Sequence, residues 1–418
     1  MSTSFWHGFA DMHVVKDAEV VFRSGEGAWV TDTNGRRYLD STAGLWYANV
    51  GFGRGEIADA VAAQIRQLSA YSSFGAYTTE PTVQLAERIA AMAPVERAAV
   101  FFTSGGSESI DTAAKLARRY WDVLGKSEKR VIASREHSYH GMAAYGTSLA
   151  GIPLNKAGYG PLVADVAHVG AHDLEQIEEL FATRAGEIAA FIAEPVIGAG
   201  GVIPPVDGYF EGVQELCRRH DILLIVDEVI TGFGRTGWWW GSQRYGIEPD
   251  LITFAKGVTS GYLPLGGVIA GPRVRAPFWD EPVAGAVFRH GYTYSGHATA
   301  CAAGLANLDI LEREDLVGRV RTMEPVLAAA LGRLQGVPLV SEIRTVGLTG
   351  AVELSADARA ANPGVVDAVV NASRRHGVLT RAIRGVALQV SPAFVISEPE
   401  IDTMVAGFEA ALREVAAG

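Results

Sequence analysis

Between residues 98 and 254 the chain returns repeatedly to a short apolar run, at 98–102, 131–133, 190–193, 222–226 and 251–254. None of these runs alternates polar with apolar residues, so each reads as a strand buried on both faces. The amphipathic stretches between them, including one opening at Ser107 and one near 174–181, supply the helices that would cover those faces. The pattern predicts an α/β domain built on a largely parallel sheet.

Two of the runs end on a charge. Leu251-Ile-Thr-Phe-Ala255 leads into Lys256 and Gly257, and Ile222-Leu-Leu-Ile-Val226 leads into Asp227. A lysine pressed toward an interior loses ammonium solvation, so its pKa falls and the neutral amine becomes a nucleophile. Such an amine can condense with a carbonyl group. Opposite charges at the ends of two buried strands therefore mark a candidate site.

The flanking sequence has other textures. Residues 19–40 read as a small meander around the turn Asp32-Thr-Asn-Gly35. A long helical stretch from about 299 to 334 precedes a final region in which strands at 339–354, 378–381 and 386–390 mix with helices near 365–376 and from Glu398. This predicts a large domain over 55–315 and a smaller α+β domain over 316–418, joined by the N-terminal segment 1–54. Formal net charge is −11 and the basic residues are scattered, which argues against nucleic acid as a partner. No window supplies the roughly 20 apolar residues that span a bilayer, and Met1-Ser-Thr-Ser-Phe-Trp-His-Gly8 has no basic region followed by an apolar stretch. A soluble, cytoplasmic protein is expected, with Cys217 and Cys301 as core residues.

Phe101-Phe-Thr-Ser104-Gly105-Gly106-Ser107 follows a strand and opens a helix, so its backbone N–H groups could cup a phosphate; an ordinary strand-to-helix turn is the competing reading. Gly125-Lys126-Ser127 lacks the first glycine of a nucleotide-binding loop, because Tyr120 stands in its place, which argues against an NTPase. Gly232-Phe-Gly234-Arg-Thr-Gly237 matches a dinucleotide fingerprint, yet Trp238-Trp-Trp-Gly241 is a poor helix start, so a glycine-rich loop beside a site is the better reading. His137-Ser-Tyr-His140-Gly141 lacks companions at metal-ligand spacing and suits a loop that packs rings on a planar ligand. No metal is expected.

Together these segments resemble the class III aminotransferases, fold-type I enzymes dependent on pyridoxal 5′-phosphate. The most specific are Ser104-Gly-Gly-Ser-Glu108, Ser138-Tyr-His-Gly141, Glu194-Pro195, Val226-Asp-Glu-Val229, Phe254-Ala-Lys-Gly257 and His290-Gly-Tyr-Thr-Tyr-Ser-Gly-His297. The resemblance implies a mostly parallel seven-stranded sheet in the large domain. It implies that Lys256 holds the cofactor covalently and then moves the substrate proton, while Asp227 pairs with the ring nitrogen. The phosphate would rest on Ser104, Gly105, Gly106 and Ser107, with Thr293 reaching it from a second subunit. Tyr139 and Val229 would sandwich the ring, with His140 and Glu194 beside it. A homodimer with shared sites follows, with a tetramer as the larger alternative assembly.

Leu45-Trp46-Tyr47-Ala-Asn49 and Gly377-Val-Leu-Thr-Arg381 are most similar to the ω-amino acid:pyruvate branch. Arg381 would pair with a substrate carboxylate and swing aside for uncharged amines; Arg384 competes for that role. Trp46, Phe22 and Tyr139 are candidates to line the amine pocket. The reading is a ping-pong transaminase taking nitrogen from an amine or ω-amino acid to pyruvate or another small 2-oxo acid. Alternatives are 7,8-diaminononanoate synthesis, a non-catalytic protein on the same scaffold, and a dehydrogenase.

Overall fold

The computed structural model describes residues 3–160 and 162–418; Met1 and Ser2, which open the N-terminal segment, and Pro161 lie outside it. The predicted meander forms as β1 (Phe22–Glu26), β2 (Trp29–Asp32) and β3 (Arg37–Asp40), all antiparallel. Its turn is closed by Asp32, whose Oδ1 accepts the N–H groups of Asn34 and Arg36 at 2.9 Å.

The large sheet contains β4 (Ala99–Thr103), β5 (Val131–Arg135), β6 (Val166–Val169), β7 (Ile188–Ala193), β8 (Leu223–Asp227), β9 (Leu251–Phe254) and β10 (Gly266–Ala270). Its seven strands lie in the order β4-β10-β9-β8-β7-β5-β6. β10 runs antiparallel to both neighbours, and the remaining pairings are parallel. β5, β7, β8, β9 and β10 are buried at every position, and successive side chains pack on opposite faces of the sheet. Leu223 and Ile225 pack toward the helix Gly106–Val123, while Leu224 and Val226 pack toward the helices Leu174–Arg184 and Tyr209–Arg219.

β6 and β10 are additions to the sequence expectation. β10 is written Gly266-Gly-Val-Ile-Ala270, and its glycines hide the apolar signal for a packing reason. A Cβ on Gly267 would lie 2.4 Å from the Phe254 ring, and one on Gly266 would lie 2.9 Å from the Gly105 backbone. The long helix expected at 299–334 is in fact two, Ala298–Arg313 and Leu316–Gly332. Between them Asp315 turns left-handed and its side chain caps the second helix through the Gly318 N–H at 3.1 Å.

The C-terminal region adds β11 (Val340–Val346), β12 (Thr349–Leu354), β13 (Val378–Leu379), β14 (Ala382–Ile383) and β15 (Ala387–Val390). Four of them form a sheet in the order β11-β12-β15-β14, whereas β13 leaves it to pair in parallel with β3. The N-terminal meander is thereby tied to the C-terminal region. Among the described residues no helix is long and apolar enough to cross a membrane.

Candidate active site

β4, β5, β7, β8 and β9 all point the same way, since β10 is antiparallel to both β4 and β9. The residues that follow them therefore gather beyond one edge of the sheet, where open α/β sheets place their ligands. That edge receives Ser104–Ser107, Tyr139 and His140, Glu194, Asp227 and Lys256.

Asp227 closes β8 directly opposite Thr253 of β9 and is 4% exposed. Its Oδ1 accepts the Val229 N–H at 3.0 Å and the Thr253 hydroxyl at 3.2 Å, and its Oδ2 pairs with His140 Nδ1 at 2.7 Å. An ionised carboxylate only accepts, so Nδ1 carries the shared proton. A carboxylate offers about four acceptor positions, and one on Oδ2 is left. His140 is thus a buried prop behind the carboxylate, and the expectation of an imidazole packed on the ligand plane gives way to this geometry. Thr253 was missed, although it is the one polar residue in the run Leu251–Phe254.

Lys256 lies three residues beyond Thr253, partly buried, in a left-handed conformation at φ +45°. A non-glycine residue there costs about 1–2 kcal/mol. Among the described residues its amine has no hydrogen-bond or ion-pair partner, and it sits 5.6 Å from the centre of the Trp46 ring. Burial lowers its pKa to about 8, against the upward pull of the Asp227 and Glu194 charges, while Arg381 adds to the lowering. Among the described residues Asp227 forms its ion pair with His140 and none with Lys256.

The helix Gly106–Val123 begins beside this pair. Among the described residues the N–H groups of Gly105, Gly106 and Ser107 find no acceptor, as the first turn of a helix dictates. Ser104 donates its N–H to Glu108 Oε2 at 2.7 Å. Ser107 Oγ accepts the Met142 N–H at 3.1 Å, which leaves its own proton free. Close approach is enforced by glycine: a Cβ on Gly106 would sit 3.0 Å from Val229 Cγ1, and one on Gly141 would sit 2.5 Å from Ser107 Oγ. The set fits a flat group that offers an aldehyde to Lys256, a basic ring nitrogen to Asp227 and an anionic tail to the helix.

Glu194, 3% exposed, accepts the N–H groups of Tyr139 at 3.0 Å and Gly198 at 2.9 Å. Burial raises its pKa. It shapes the loop that carries Tyr139. Arg381 lies with its guanidinium carbon 5.2 Å from the same Trp46 ring and has no ion-pair partner among the described residues; burial lowers its pKa. Arg384 is exposed and donates to the Gly200 carbonyl at 2.9 Å.

Other expected residues are placed elsewhere. Phe22 lies on the outermost strand of its sheet, is 46% exposed, and meets Tyr38 edge-on. It lines a cavity of about 530 Å³ that Arg381 also borders. Thr293 is exposed, on a loop anchored by His290 Nε2 to Thr112 Oγ1 at 2.8 Å. In the loop Gly232–Gly237, Arg235 is fully buried and bonds Asn49 Oδ1 at 2.7 Å and the carbonyls of Leu348 and Pro392 at 2.9 and 2.6 Å. That loop staples the N- and C-terminal regions together. Glu228, also fully buried, accepts from the backbone of Gly241 and Ser242 at 2.8 and 2.7 Å, and burial raises its pKa.

The family profile described as aminotransferase class III matches residues 12–412. The chain is 41% identical to a β-alanine–pyruvate aminotransferase of Pseudomonas aeruginosa, covering 84% of this chain and 82% of that one. It is 38% identical to a putrescine–pyruvate aminotransferase of the same species, covering 96% and 92%. An amine transaminase from an uncultivated Pseudomonas species, solved in its PLP-bound form, superimposes with a TM-score of 0.95 at 37% identity, covering 99% of each chain.

Proposed function

The chain belongs to the class III aminotransferases, whose cofactor is pyridoxal 5′-phosphate, and from that premise we propose an ω-transaminase that passes nitrogen from an amine or ω-amino acid to pyruvate. One observation carries the substrate class. An amine and a guanidinium, both without partners among the described residues, face the same Trp46 ring. One is a nucleophile and the other a receptor for a carboxylate.

The bound cofactor supplies an electron sink for the pair released when the substrate carbon loses its proton. Lys256 Nζ would hold the cofactor between turnovers and, once displaced by the substrate amine, would take the proton lost by the substrate carbon and give it to the carbon that bore the cofactor aldehyde. Tethering spares it the entropy of a second encounter. Asp227 keeps a proton on the ring nitrogen, and His140, Thr253 and the Val229 N–H keep Asp227 in place. Ser104, Gly105, Gly106 and Ser107 take the phosphate; Tyr139 and Val229 confine the ring. Arg381 binds the carboxylate of the acid partner.

The same reading includes a homodimer in which Thr293 completes the partner's phosphate site. Supporting it, exposed Tyr71, Phe74 and Tyr77 adjoin the Thr293 loop, which also exposes Tyr294, and Ser73 Oγ donates to the Ser295 carbonyl at 2.7 Å. Such an apolar surface suits burial against a second chain. The division at 54/55 and 315/316 and a cytoplasmic location belong to the reading as well; both cysteines are free and buried.

The test is a spectral titration of the purified holoenzyme with amines and ω-amino acids, then with keto acids. The absorbance of lysine-bound cofactor should vanish with a donor and return with pyruvate. A response only to S-adenosylmethionine, the donor that 7,8-diaminononanoate synthesis would use, or no change with any donor, would refute the proposal. Lys256→Ala should lose at least about 10⁴-fold in turnover, the upper range for a positioned acid–base, while its circular dichroism stays unchanged.

A further inference from the structure

Trp46 is 3% exposed, yet its indole Nε1 has no hydrogen-bond partner among the described residues. The backbone that delivers it is strained, with φ of +46° at Ala43 and +60° at Trp46. Left-handed non-glycine residues cost about 1–2 kcal/mol each, so this turn relaxes unless its surroundings over-determine it. Asp40 does that. Its Oδ1 accepts the Thr42 N–H at 2.8 Å and the Thr42 hydroxyl at 2.6 Å, and its Oδ2 accepts the Gly44 N–H at 2.6 Å. The carboxylate is 3% exposed, and burial raises its pKa. Asp40 is also the register partner of Leu379 in the β3–β13 pair, two residues before Arg381. One residue thus stands where the chains carrying Trp46 and Arg381 leave the same sheet.

We propose that Asp40 is a positioning residue for the acid-binding end of the site. It locks the Thr42–Trp46 turn so that the unpaired indole N–H and the Arg381 guanidinium converge on the carboxylate of a small 2-oxo acid. The unsatisfied buried donor is the part a ligand completes, since a buried N–H without an acceptor is costly. The inference rests on the transaminase reading above.

Two measurements test it. In the holoenzyme, Asp40→Asn turns one acceptor into a donor facing a backbone N–H; KM for pyruvate should rise about tenfold, with kcat and the KM for an uncharged amine changed by no more than about threefold. Thr42→Val should shift the pyruvate KM in the same direction, and Thr42→Ser, which keeps the hydroxyl, should behave as the wild type. In the cofactor-free protein, amide exchange over residues 41–50 should speed up in Asp40→Asn, a readout that needs no turnover. Equal losses for acid and amine, an unchanged pyruvate KM, or unchanged exchange would each overturn the role. A wild-type enzyme that ignores every keto acid would instead sink the transaminase reading.

Discussion

At the scale of single residues, the chemistry comes from charges denied their usual partners. With its pKa lowered to about 8, Lys256 is half neutral at pH 8, whereas an ordinary lysine near 10.4 is roughly 0.4% neutral there. In the cofactor-free protein, reductive alkylation should therefore mark Lys256 first. Its rate should climb with pH through a midpoint near 8 and level off about one unit above it, where roughly nine tenths of the amine is neutral. Continued growth toward pH 10, read by peptide mass spectrometry, would show an ordinary ammonium. Arg381 makes a different forecast: Arg381→Ala removes a charge-assisted contact, so KM for pyruvate should rise about 10- to 100-fold, with little effect on uncharged amines in single-turnover assays. Both lysine and aspartate were legible because a charge that ends an apolar run stands out in the letters. His140 and Thr253 were not read as props, since their value lies in a hydrogen bond across β5, β8 and β9 that no local pattern records.

At the scale of elements, the site depends on loops held by buried carboxylates. Glu228 follows Asp227 and anchors the turn up to Ser242 through the N–H groups of Gly241 and Ser242 and the Thr231 hydroxyl. Glu228→Ala strands those donors in the interior, so unfolding in urea should show a loss of about 3 kcal/mol or more. A loss below about 1 kcal/mol would mean that the loop stands without it. The parallel strands were readable from unbroken apolar runs. β10 was not, because two glycines that admit the Phe254 ring and the Gly105 backbone erased its hydrophobic signature. The helix break at Asp315 was equally hidden, since Asp-capped left-handed turns and mid-helix aspartates look alike in sequence.

At the scale of the whole molecule, the exposed aromatic surface around Tyr71, Phe74 and Tyr294 predicts a dimer. Sedimentation should give twice the chain mass, and dilution to monomer should cost phosphate affinity together with activity; a fully active monomer would remove Thr293 from the site. Composition and patterning by themselves determined the parallel sheet, the lysine and aspartate at its carboxyl edge, and the glycine-rich helix start. Each of these is written in contiguous residues, where hydrophobic period and turn chemistry act over a few positions. Only the tertiary structure decided which arginine faces Trp46, that Phe22 stands exposed on an edge strand, and that β13 crosses over to pair with β3. Those outcomes depend on packing between segments more than 300 residues apart in the β3–β13 case, and burial of that kind is a property of the assembled core that no local stretch of letters encodes.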